Sequence, residues 1–546
     1  VNQAIPGGRT SISGGTMTVA EAEDISTVLK AGKLPAAARI IQAEVVGPSL
    51  GQESIDASIN SFGLAIILVL LWMLLYYGKA GLYADIALAV NILFIFGILS
   101  SFNAVLTLPG IAGIILTIGM SVDANVIIFE RIKEGLFKQK GLKHSVEEGF
   151  SVKGALSAII DANITTLLTG IILYIFGTGP IKGFATTLII GILTSLFTAI
   201  FITRLLVDWY SNRGGKLDFS TGMTKGLFKN VNINFLKKRK IAYVISGVLV
   251  LGSLASLFTT GLDEGIDFVG GRTYQVRFEQ PVSIEEVKGD LNAVFNSAEA
   301  KTIGGDNQLK ISTKFRVEDN STEADEDVQS KLFEALQKYL PAGMTYQEFL
   351  DGSGDAKIGK MLSSKVSPTI ADDIKKSSFW AVLGSLVVVF LYILFRFKKW
   401  QFSLGAVAAV FHDVLIVLGI FSIAWRFMPF SMEIDQAFIA AILTVIGYSI
   451  NDTVVVFDRI REFTNEHTKW ELDTTVNAAL NSTLSRTLNT SLTTLLVLLA
   501  IFIFGGESIR GFMFALIIGV IVGTYSSVFI ATPVMYDTQN KKALKE

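Results

Sequence analysis

The chain has 546 residues, of which 51% are hydrophobic and 17% are charged, and its formal net charge is −1. With a mean hydropathy of +0.52, a chain of this length is too apolar for a soluble globular protein. The absence of Cys excludes disulfides and thiolate metal sites, and three widely spaced His residues argue against a His-rich metal site. We therefore expect a membrane protein that holds no metal and no cofactor.

Eleven stretches are long and apolar enough to cross a hydrocarbon core, which takes about 20 residues of helix. In chain order they are residues 59–77, 83–101, 108–130, 158–178, 183–206, 241–260, 379–397, 403–424, 437–458, 486–505 and 511–532. They predict a polytopic α-helical membrane protein. The polar segments 1–57 and 261–378 are expected to fold outside the bilayer.

The distribution of Lys and Arg predicts the orientation of the helices. Basic residues are concentrated in residues 131–153, 204–240 and 396–399 and in the C-terminal KKALKE. The alternate connections at 101–108 and 178–183 hold at most one basic residue each. The basic loops are expected in the cytoplasm, so both polar segments are predicted to be extracytoplasmic.

The beginning of the chain does not look like a natural start. It opens with Val in a polar, Gly-rich segment and shows no charged region followed by an apolar one. We expect that a first helix and most of a first outer domain precede this sequence, of which residues 1–57 are a remnant. A cleaved signal peptide is the alternative.

A shift of 328 positions aligns the chain with itself. It matches Gly119 with Gly447 and Arg131 with Arg459, and in later helices it matches the strings TTLL, IFG and LIIG. One offset held across three helices indicates an internal repeat. We expect two parallel halves with five and six helices. The first half covers 58–210, a cytoplasmic linker follows at 211–240, and the second half comprises 241–260, the outer domain 261–378 and the helices within 379–546.

Each half carries an acid in the middle of a span, in GMSVDANVIIFERI at 119–132 and in GYSINDTVVVFDRI at 447–460. Placing Asp at the centre of a membrane helix costs about 2.5–3.5 kcal/mol, so such acids usually mark an ion path. Repeats place their working site between the halves, near the midplane. We therefore predict that Asp123 and Asp452 bind protons on a path that runs along the seam between the two halves. The alternative is that they only connect helices through hydrogen bonds.

Arg486 is the third predicted member of this site. Its position in the first half is Ala158, so the charge is asymmetric. Because a guanidinium stays protonated, Arg486 is expected to hold an ionised Asp452 or Asp123 and to be released when that acid is protonated. An arginine that extends to the cytoplasmic interface is the alternative.

Further polar residues predict a secondary seam between the halves. They are Asn125, Asn451, His412, Asp413, Thr490 and Thr494. His can relay protons, although a single His bonded to a neighbouring helix fits the sequence equally well. Thr can also bond to carbonyls of its own helix. At the cytoplasmic helix ends, Glu130 with Arg131 and Asp458 with Arg459 are predicted to form interfacial ion pairs.

The segment 261–378 has the pattern of a small α+β domain. TYQVRF alternates as a strand, VSIEEVKGDLNAVF has helical spacing, EAKTIG and NQLKIST read as strands, and DVQSKLFEALQKYL is an amphipathic helix. This order predicts a ferredoxin-like module. Its sequence offers no catalytic cluster, so we expect a binding or lever element. The glycines of GIDFVGG, just before it, are expected to act as hinges or to form tight turns.

The strings GMSVDANVIIFERIKE, GIDFVGG, FHDVLIVLG and GYSINDTVVVFDRIRE resemble the signature segments of SecD followed by SecF. The whole chain is similar to fused members of that family within the resistance-nodulation-division superfamily. The resemblance implies a non-enzymatic accessory of the Sec translocon in the bacterial cytoplasmic (inner) membrane. It implies use of a proton or sodium gradient, with the family's acids and arginine at Asp123, Asp452 and Arg486.

The implied partners are the translocon channel and its motor, unfolded preprotein on the outer side and membrane lipids, with no nucleic acid. Two other functions remain open from the sequence. One is a proton-driven exporter of small molecules or lipids from the same superfamily. The other is a passive scaffold, for which the buried acids would be dispensable.

Overall fold

A computed structural model describes residues 42–104, 106–213, 217–228, 231–296, 298–352 and 357–539. Most of the first polar segment, residues 1–41, and the C-terminal KKALKE lie outside the described residues. The described chain forms a bundle of membrane-spanning helices with one β-sheet at one end. We call the end that carries the sheet the outer side and the opposite end the inner side.

Eleven helices in the described residues are long and apolar enough to span a membrane, and each overlaps one predicted stretch. The first six are α1 (Leu50–Tyr77), α2 (Lys79–Ser101), α3 (Leu108–Phe137), α4 (Val152–Phe176), α5 (Ile181–Asn212) and α6 (Phe235–Thr259). Helices α7 (Ile284–Phe295) and α8 (Thr322–Leu336) belong to the outer domain. The last five are α9 (Pro368–Phe397), α10 (Trp400–Ala424), α11 (Gln436–Glu466), α12 (Leu472–Phe504) and α13 (Glu507–Thr538). The polytopic helical fold is therefore confirmed.

One predicted boundary differs in a way that matters for the site. The sequence placed the start of the tenth span at residue 486, whereas α12 begins at Leu472, about four turns earlier. These first turns are rich in Thr and Asn and therefore lack the apolar composition of a span. They are helical because Thr475, Ala479 and Thr483 pack against protein instead of lipid.

Helices α3 and α11 form the centre of the bundle. The most apolar window of each is 89% buried, against 17–67% in the other nine. Helix α11 packs against α4, and α12 packs against α3 and α1. Since α11 and α12 are the repeat equivalents of α3 and α4, each central helix packs against a helix of the other half.

The outer domain is built on a five-stranded antiparallel sheet. Its strands are β1 (Gln42–Val46), β2 (Gly271–Arg277), β3 (Ala298–Ile303), β4 (Gly305–Thr313) and β5 (Gly359–Val366), in the order β1-β5-β2-β4-β3. Helices α7 and α8 pack on one face, where apolar side chains such as Val276, Leu309 and Leu332 are fully buried. Strands β2 to β5 with these helices form the predicted ferredoxin-like module. Strand β1 comes from the first polar segment and pairs with β5.

The outer domain is joined to the membrane helices at several points. Strand β5 leads almost directly into α9, and Lys310 of β4 lies 2.6 Å from Glu433, just before α11. Ile434 exchanges backbone hydrogen bonds with the segment before β2, from Gly265 N to Ile434 O at 2.9 Å and from Ile434 N to Asp263 O at 2.7 Å. The sheet is therefore tied to α9 by the chain itself and to the start of α11 by an ion pair and backbone hydrogen bonds.

The glycines of GIDFVGG form a tight turn. Gly270 has a φ of +71° and Gly271 a φ of +141°, which L side chains rarely adopt. A Cβ on Gly270 would also lie 3.1 Å from Cα of Pro368, at the start of α9. Glycine is therefore needed where β2 passes close to α9.

Candidate ion-coupling site

The two acids found in the repeat lie on the two innermost helices. Helix α3 is interrupted at Val122, so Asp123 begins the second of its segments, Asp123–Phe137. Asp452 lies in the uninterrupted middle of α11. Only 6% of Asp123 and 1% of Asp452 is exposed. Both carboxyl groups are thus surrounded by protein and shielded from lipid.

Small residues let these two helices approach their neighbours closely. A Cβ on Gly119 would lie 3.1 Å from Cα of Thr494 in α12, and a Cβ on Gly447 would lie 3.4 Å from Cα of Thr166 in α4. Gly119 and Gly447 are equivalent in the repeat, and so are Thr166 and Thr494. Glycine at a helix crossing permits such contacts between membrane helices. The two matched crossings fix the depth of the acids.

Arg486 supplies the positive charge of the site. It lies well inside α12 with 3% of its surface exposed, and its Nη1 is 3.0 Å from Oδ1 of Asp452. None of its three guanidinium nitrogens, and not Oδ1 of Asp452, has a hydrogen-bond partner among the described residues, so the contact is an ion pair without hydrogen-bond geometry. The structure therefore places Arg486 in the protein interior, in a charge pair.

Asp123 is connected to this pair through an amide side chain. Asn451, the residue before Asp452, donates from Nδ2 to Oδ2 of Asp123 over a long 3.4 Å. The other oxygen of Asp123 has no hydrogen-bond partner in the described part of the chain. Asp123 and Asn451 line a cavity of about 20 Å³ together with Asn163 and Thr166. Such a cavity has room for about one water molecule.

On the side of Asp452 that faces α12 and α13, its carboxylate is followed by a short series of hydroxyl groups. Ser491 lies 3.5 Å from Oδ2 of Asp452 and 2.6 Å from the hydroxyl of Thr524 in α13. Thr490 donates to the Thr487 carbonyl of its own helix at 3.1 Å. The hydroxyl of Thr494 is without a hydrogen-bond partner among the residues described. Thr490 and Thr494 are both fully buried on α12.

The remaining secondary residues lie within single halves. Asp413 accepts hydrogen bonds from Ser449 at 2.6 Å and from Ser526 at 2.7 Å, and Nδ1 of His412 is 2.9 Å from its other oxygen. These residues belong to α10, α11 and α13 of the second half. Asn125 accepts from Thr203 of α5 at 2.8 Å, within the first half. The structure therefore does not bring Asn125, His412 or Asp413 to the seam between the halves.

A further charge pair, which unlike that of Arg486 and Asp452 connects the two halves, was missed in the sequence. Asp161 of α4 accepts from Nε of Arg396 at 2.6 Å and from the hydroxyl of Tyr392 at 2.9 Å, both on α9. Only 5% of Asp161 is exposed. The available signal was an acid within the apolar stretch 158–178. Arg396 was instead attributed to the basic loop 396–399. Its contact with Asp161 was not predictable because the two residues lie far apart in the sequence.

The predicted ion pairs at the inner helix ends are wrong in their partners. Arg131 and Arg459 both contact Glu134 and Glu462. Glu130 contacts Lys133, and Asp458 contacts Arg461. Consecutive residues on a helix point in different directions, so charges pair with residues three or four positions away or with another helix.

Comparison with known proteins shows the family of this chain. A family described as protein export membrane protein SecD/SecF, C-terminal, matches residues 27–213 and 346–541, and the SecD/SecF GG motif matches residues 255–282. The two ranges matched by the first of these families together cover more than half of the chain. The chain belongs to the SecD/SecF family. The SecD/SecF domain matches twice, once in each half, as the 328-residue repeat predicts.

Fused SecDF proteins match along nearly the whole chain, and a separate SecF protein matches 58% of it. The protein translocase subunit SecDF of Brucella abortus is 34% identical over 523 residues, covering 95% of this chain and 65% of that protein. The protein translocase subunit SecF of Rhodothermus marinus is 45% identical over 321 residues, covering 58% of this chain and 97% of that protein. A crystal structure of SecDF from Thermus thermophilus, described as a translocon-associated membrane protein, has 34% identity and a TM-score of 0.81 and covers 99% of this chain and 70% of that chain. This chain spans about two thirds of these fused relatives.

Proposed function

We propose that this chain is an accessory component of the Sec protein translocase in the bacterial cytoplasmic membrane and that it uses a proton or sodium gradient to promote preprotein export. The observation that carries the proposal is the buried pair of Arg486 and Asp452, with Asp123 beside it, on helices at the centre of the bundle. Its SecDF relatives are named as translocase subunits, which favours export of proteins over export of small molecules or lipids.

A buried charge pair makes the protein sensitive to protonation. Removing one partner of such a pair costs about 3–5 kcal/mol, because the other charge stays buried without compensation. An ion or proton that neutralises Asp452 leaves Arg486 as a buried charge without a partner. Movement of Arg486 toward Asp123 or toward water relieves the cost, and such a movement displaces α12 relative to α3 and α11. Asp123, Asp452 and Arg486 thus act as one switch.

The membrane potential is large enough to drive this switch. It supplies about 2.3 kcal/mol per elementary charge per 100 mV. Since about 1.4 kcal/mol changes an equilibrium constant tenfold, one charge shifts a two-state equilibrium by nearly two decades. A single ion per cycle therefore suffices to bias the two arrangements of the helices.

The outer domain converts the helix movement into work on preprotein. Glu433, at the outer end of α11, is paired with Lys310 of the sheet, and β5 leads into α9. A displacement of α11 and α9 therefore moves the sheet relative to the membrane. Emerging unfolded preprotein is the proposed load on the outer side, and the translocon channel and its motor are the proposed partners within and below the membrane.

The proposed function is tested in inverted membrane vesicles that contain the Sec machinery, with and without this chain. Translocation is started with ATP, ATP is then exhausted, and completion of half-translocated preprotein is followed with a proton gradient, a sodium gradient or none. We expect completion only with the chain present and only with one of the two gradients. Equal completion in all vesicles would refute a role in export.

A further inference from the structure

Four charged side chains meet where the inner ends of α3 and α11 face each other. They are Arg131 and Glu134 of α3 and Arg459 and Glu462 of α11, and we call them the inner ring. The offset of the repeat relates the two arginines to each other and the two glutamates to each other. The inner ring is therefore a pseudo-symmetric structure formed in equal parts by the two halves.

The contacts of the inner ring cross between the halves. Arg459 is 2.6 Å from Glu134 of the other half and 2.7 Å from Glu462 of its own half. Arg131 likewise contacts Glu462 of the other half and lies 3.1 Å from Glu134 of its own. Each arginine thus bridges both glutamates, and each glutamate accepts from both arginines. The two arginine side chains are 12% and 11% exposed, so bulk water screens these pairs only weakly.

A cavity connects the inner ring with the coupling site. It has a volume of about 470 Å³, and its lining includes all four ring residues together with Ser485 and Arg486. Nε and Nη2 of Arg486 have no hydrogen-bond partner in the described part of the chain, and the cavity offers them room for water. The inner ring and Arg486 thus line one cavity at the inner ends of α3 and α11.

We propose that the inner ring is a gate that closes the inner end of the ion path. The inference rests on the proposed function, in which the two halves move relative to each other. Contacts between the halves exist only while the inner ends of α3 and α11 are close, so ion release to the inner side requires the ring to separate. Before release, the paired charges hold the inner ends together and keep the cavity from opening further.

The first test measures the distance between the inner helix ends. The chain has no Cys, so Gln139→Cys and Glu466→Cys introduce a specific pair of spin labels at exposed positions just after α3 and at the end of α11. In this background, Glu134→Gln with Glu462→Gln removes the charge of both ring glutamates. We expect double electron–electron resonance to show a longer mean distance between the labels, and a broader distribution, than in the labelled parent.

A matched control exchanges the signs of the ring without removing its pairs. The variant Arg131→Glu, Glu134→Arg, Arg459→Glu, Glu462→Arg keeps the net charge and restores every cross-half pair in reverse. Because Glu148 lies 3.7 Å from Arg131, Glu148→Gln is present in the parent and in all variants. The exchanged variant should return the parent distance distribution. An unchanged distribution in the glutamine variant, or a distribution in the exchanged variant as broad as in the glutamine variant, would overturn the inference. This distance is measured without gradient or preprotein, so its outcome is independent of the test of the proposed function.

The second test measures passage of protons through the opened gate. Proteoliposomes are loaded with a pH-sensitive dye, and a potassium diffusion potential drives protons inward. The variant Glu134→Gln with Glu462→Gln should acidify the lumen several-fold faster than the parent, and adding Asp452→Asn should abolish the difference. A rate equal to that of the parent, despite separated helix ends, would refute the gating role.

Discussion

Arg486 and Asp452 face each other in the protein interior, where only 3% and 1% of their surfaces are exposed. The pair is therefore coupled, and each charge is stabilised mainly by the other. Asp123 lies close by, connected through Asn451, and offers the guanidinium a second carboxylate. This arrangement of two acids and one permanent cation is the chemical basis of the proposed switch.

The coupling of the pair predicts non-additive effects on stability. Arg486→Gln alone should reduce the free energy of unfolding by about 3–5 kcal/mol, because Asp452 is left as an unpaired buried charge. Adding Asp452→Asn should recover a large part of this loss. The measurement is unfolding by SDS in mixed detergent micelles for the wild type, both single variants and the double variant. Strictly additive losses would contradict a direct pair.

Asp435, just outside the membrane at the start of α11, has an altered acidity. Burial, and next the neighbouring Asp267, raise its pKa to about 7, while Lys310 opposes the shift. Its carboxylate also accepts from the backbone N–H of Phe438 at 2.8 Å and so caps α11. Ionisation of Asp435 near neutral pH therefore places a poorly solvated charge where the outer domain meets α11.

The raised pKa of Asp435 predicts a pH dependence of stability. The unfolded chain releases this proton near pH 4, whereas the folded protein keeps it up to about pH 7. Stability should therefore fall as the pH rises from 4 to 7, because the unfolded state binds fewer protons over that range. Asp435→Asn keeps the cap but cannot ionise, so its thermal midpoint should fall less between pH 5 and pH 8 than that of the wild type.

The control for this prediction is Asp372→Asn, which removes an exposed carboxylate near the outer end of α9. It should show the same pH dependence as the wild type. If Asp435→Asn loses as much stability as the wild type over this range, the pH dependence comes from other groups.

Among elements, the close crossings of the central helices determine the geometry of the site. Helix α3 meets α12 at Gly119, and α11 meets α4 at Gly447, where the partner backbones leave little or no space for a side chain. These crossings lie about one turn before Asp123 on α3 and before Asp452 on α11. A wider crossing would separate the charges of the pair.

The crossing at Gly119 predicts a large effect of a single methyl group. In Gly119→Ala, the new Cβ would meet Cα of Thr494 at 3.1 Å, so the backbones of α3 and α12 have to separate by a few tenths of an ångström. We expect a lower thermal midpoint and loss of gradient-dependent activity.

Gly97→Ala in α2 is the matched control, because no atom lies within 4 Å of its new Cβ. There, the substitution should be neutral or stabilise by about 0.5–1 kcal/mol, since Ala is the better helix former. Equal effects of the two substitutions would refute the packing argument.

At the scale of the whole molecule, the features that could be predicted from the sequence are those that depend on a local stretch of residues or on the internal repeat. Apolar stretches predicted the membrane helices, the 328-residue offset predicted the two halves, and acids within spans predicted Asp123 and Asp452. Contacts between distant segments were not predictable in this way. The pairing of β1 with β5, the bond from Asp161 to Arg396 and the exchanged partners of the inner ring all depend on how the halves pack.

The same limit explains the error at the start of α12. Hydropathy separates apolar from polar segments, but it cannot distinguish a polar loop from a polar helix that packs against protein. The residues from Leu472 to Arg486 are of the second kind. The polar composition that hid this part of the helix is also what lines the inner cavity, through Asn481, Ser482 and Ser485.

The central claim is that the buried pair of Asp452 and Arg486 couples an ion gradient to preprotein movement. The most direct measurement is completion of preprotein translocation after ATP is exhausted, in vesicles that carry the wild type, Asp452→Asn or Asp413→Asn. Asp413 is also a buried membrane acid, but it bonds within the second half. We predict that gradient-dependent completion is lost in Asp452→Asn, inserted at normal levels, and kept in Asp413→Asn. Completion by Asp452→Asn at the wild-type rate would contradict the account and favour a passive scaffold.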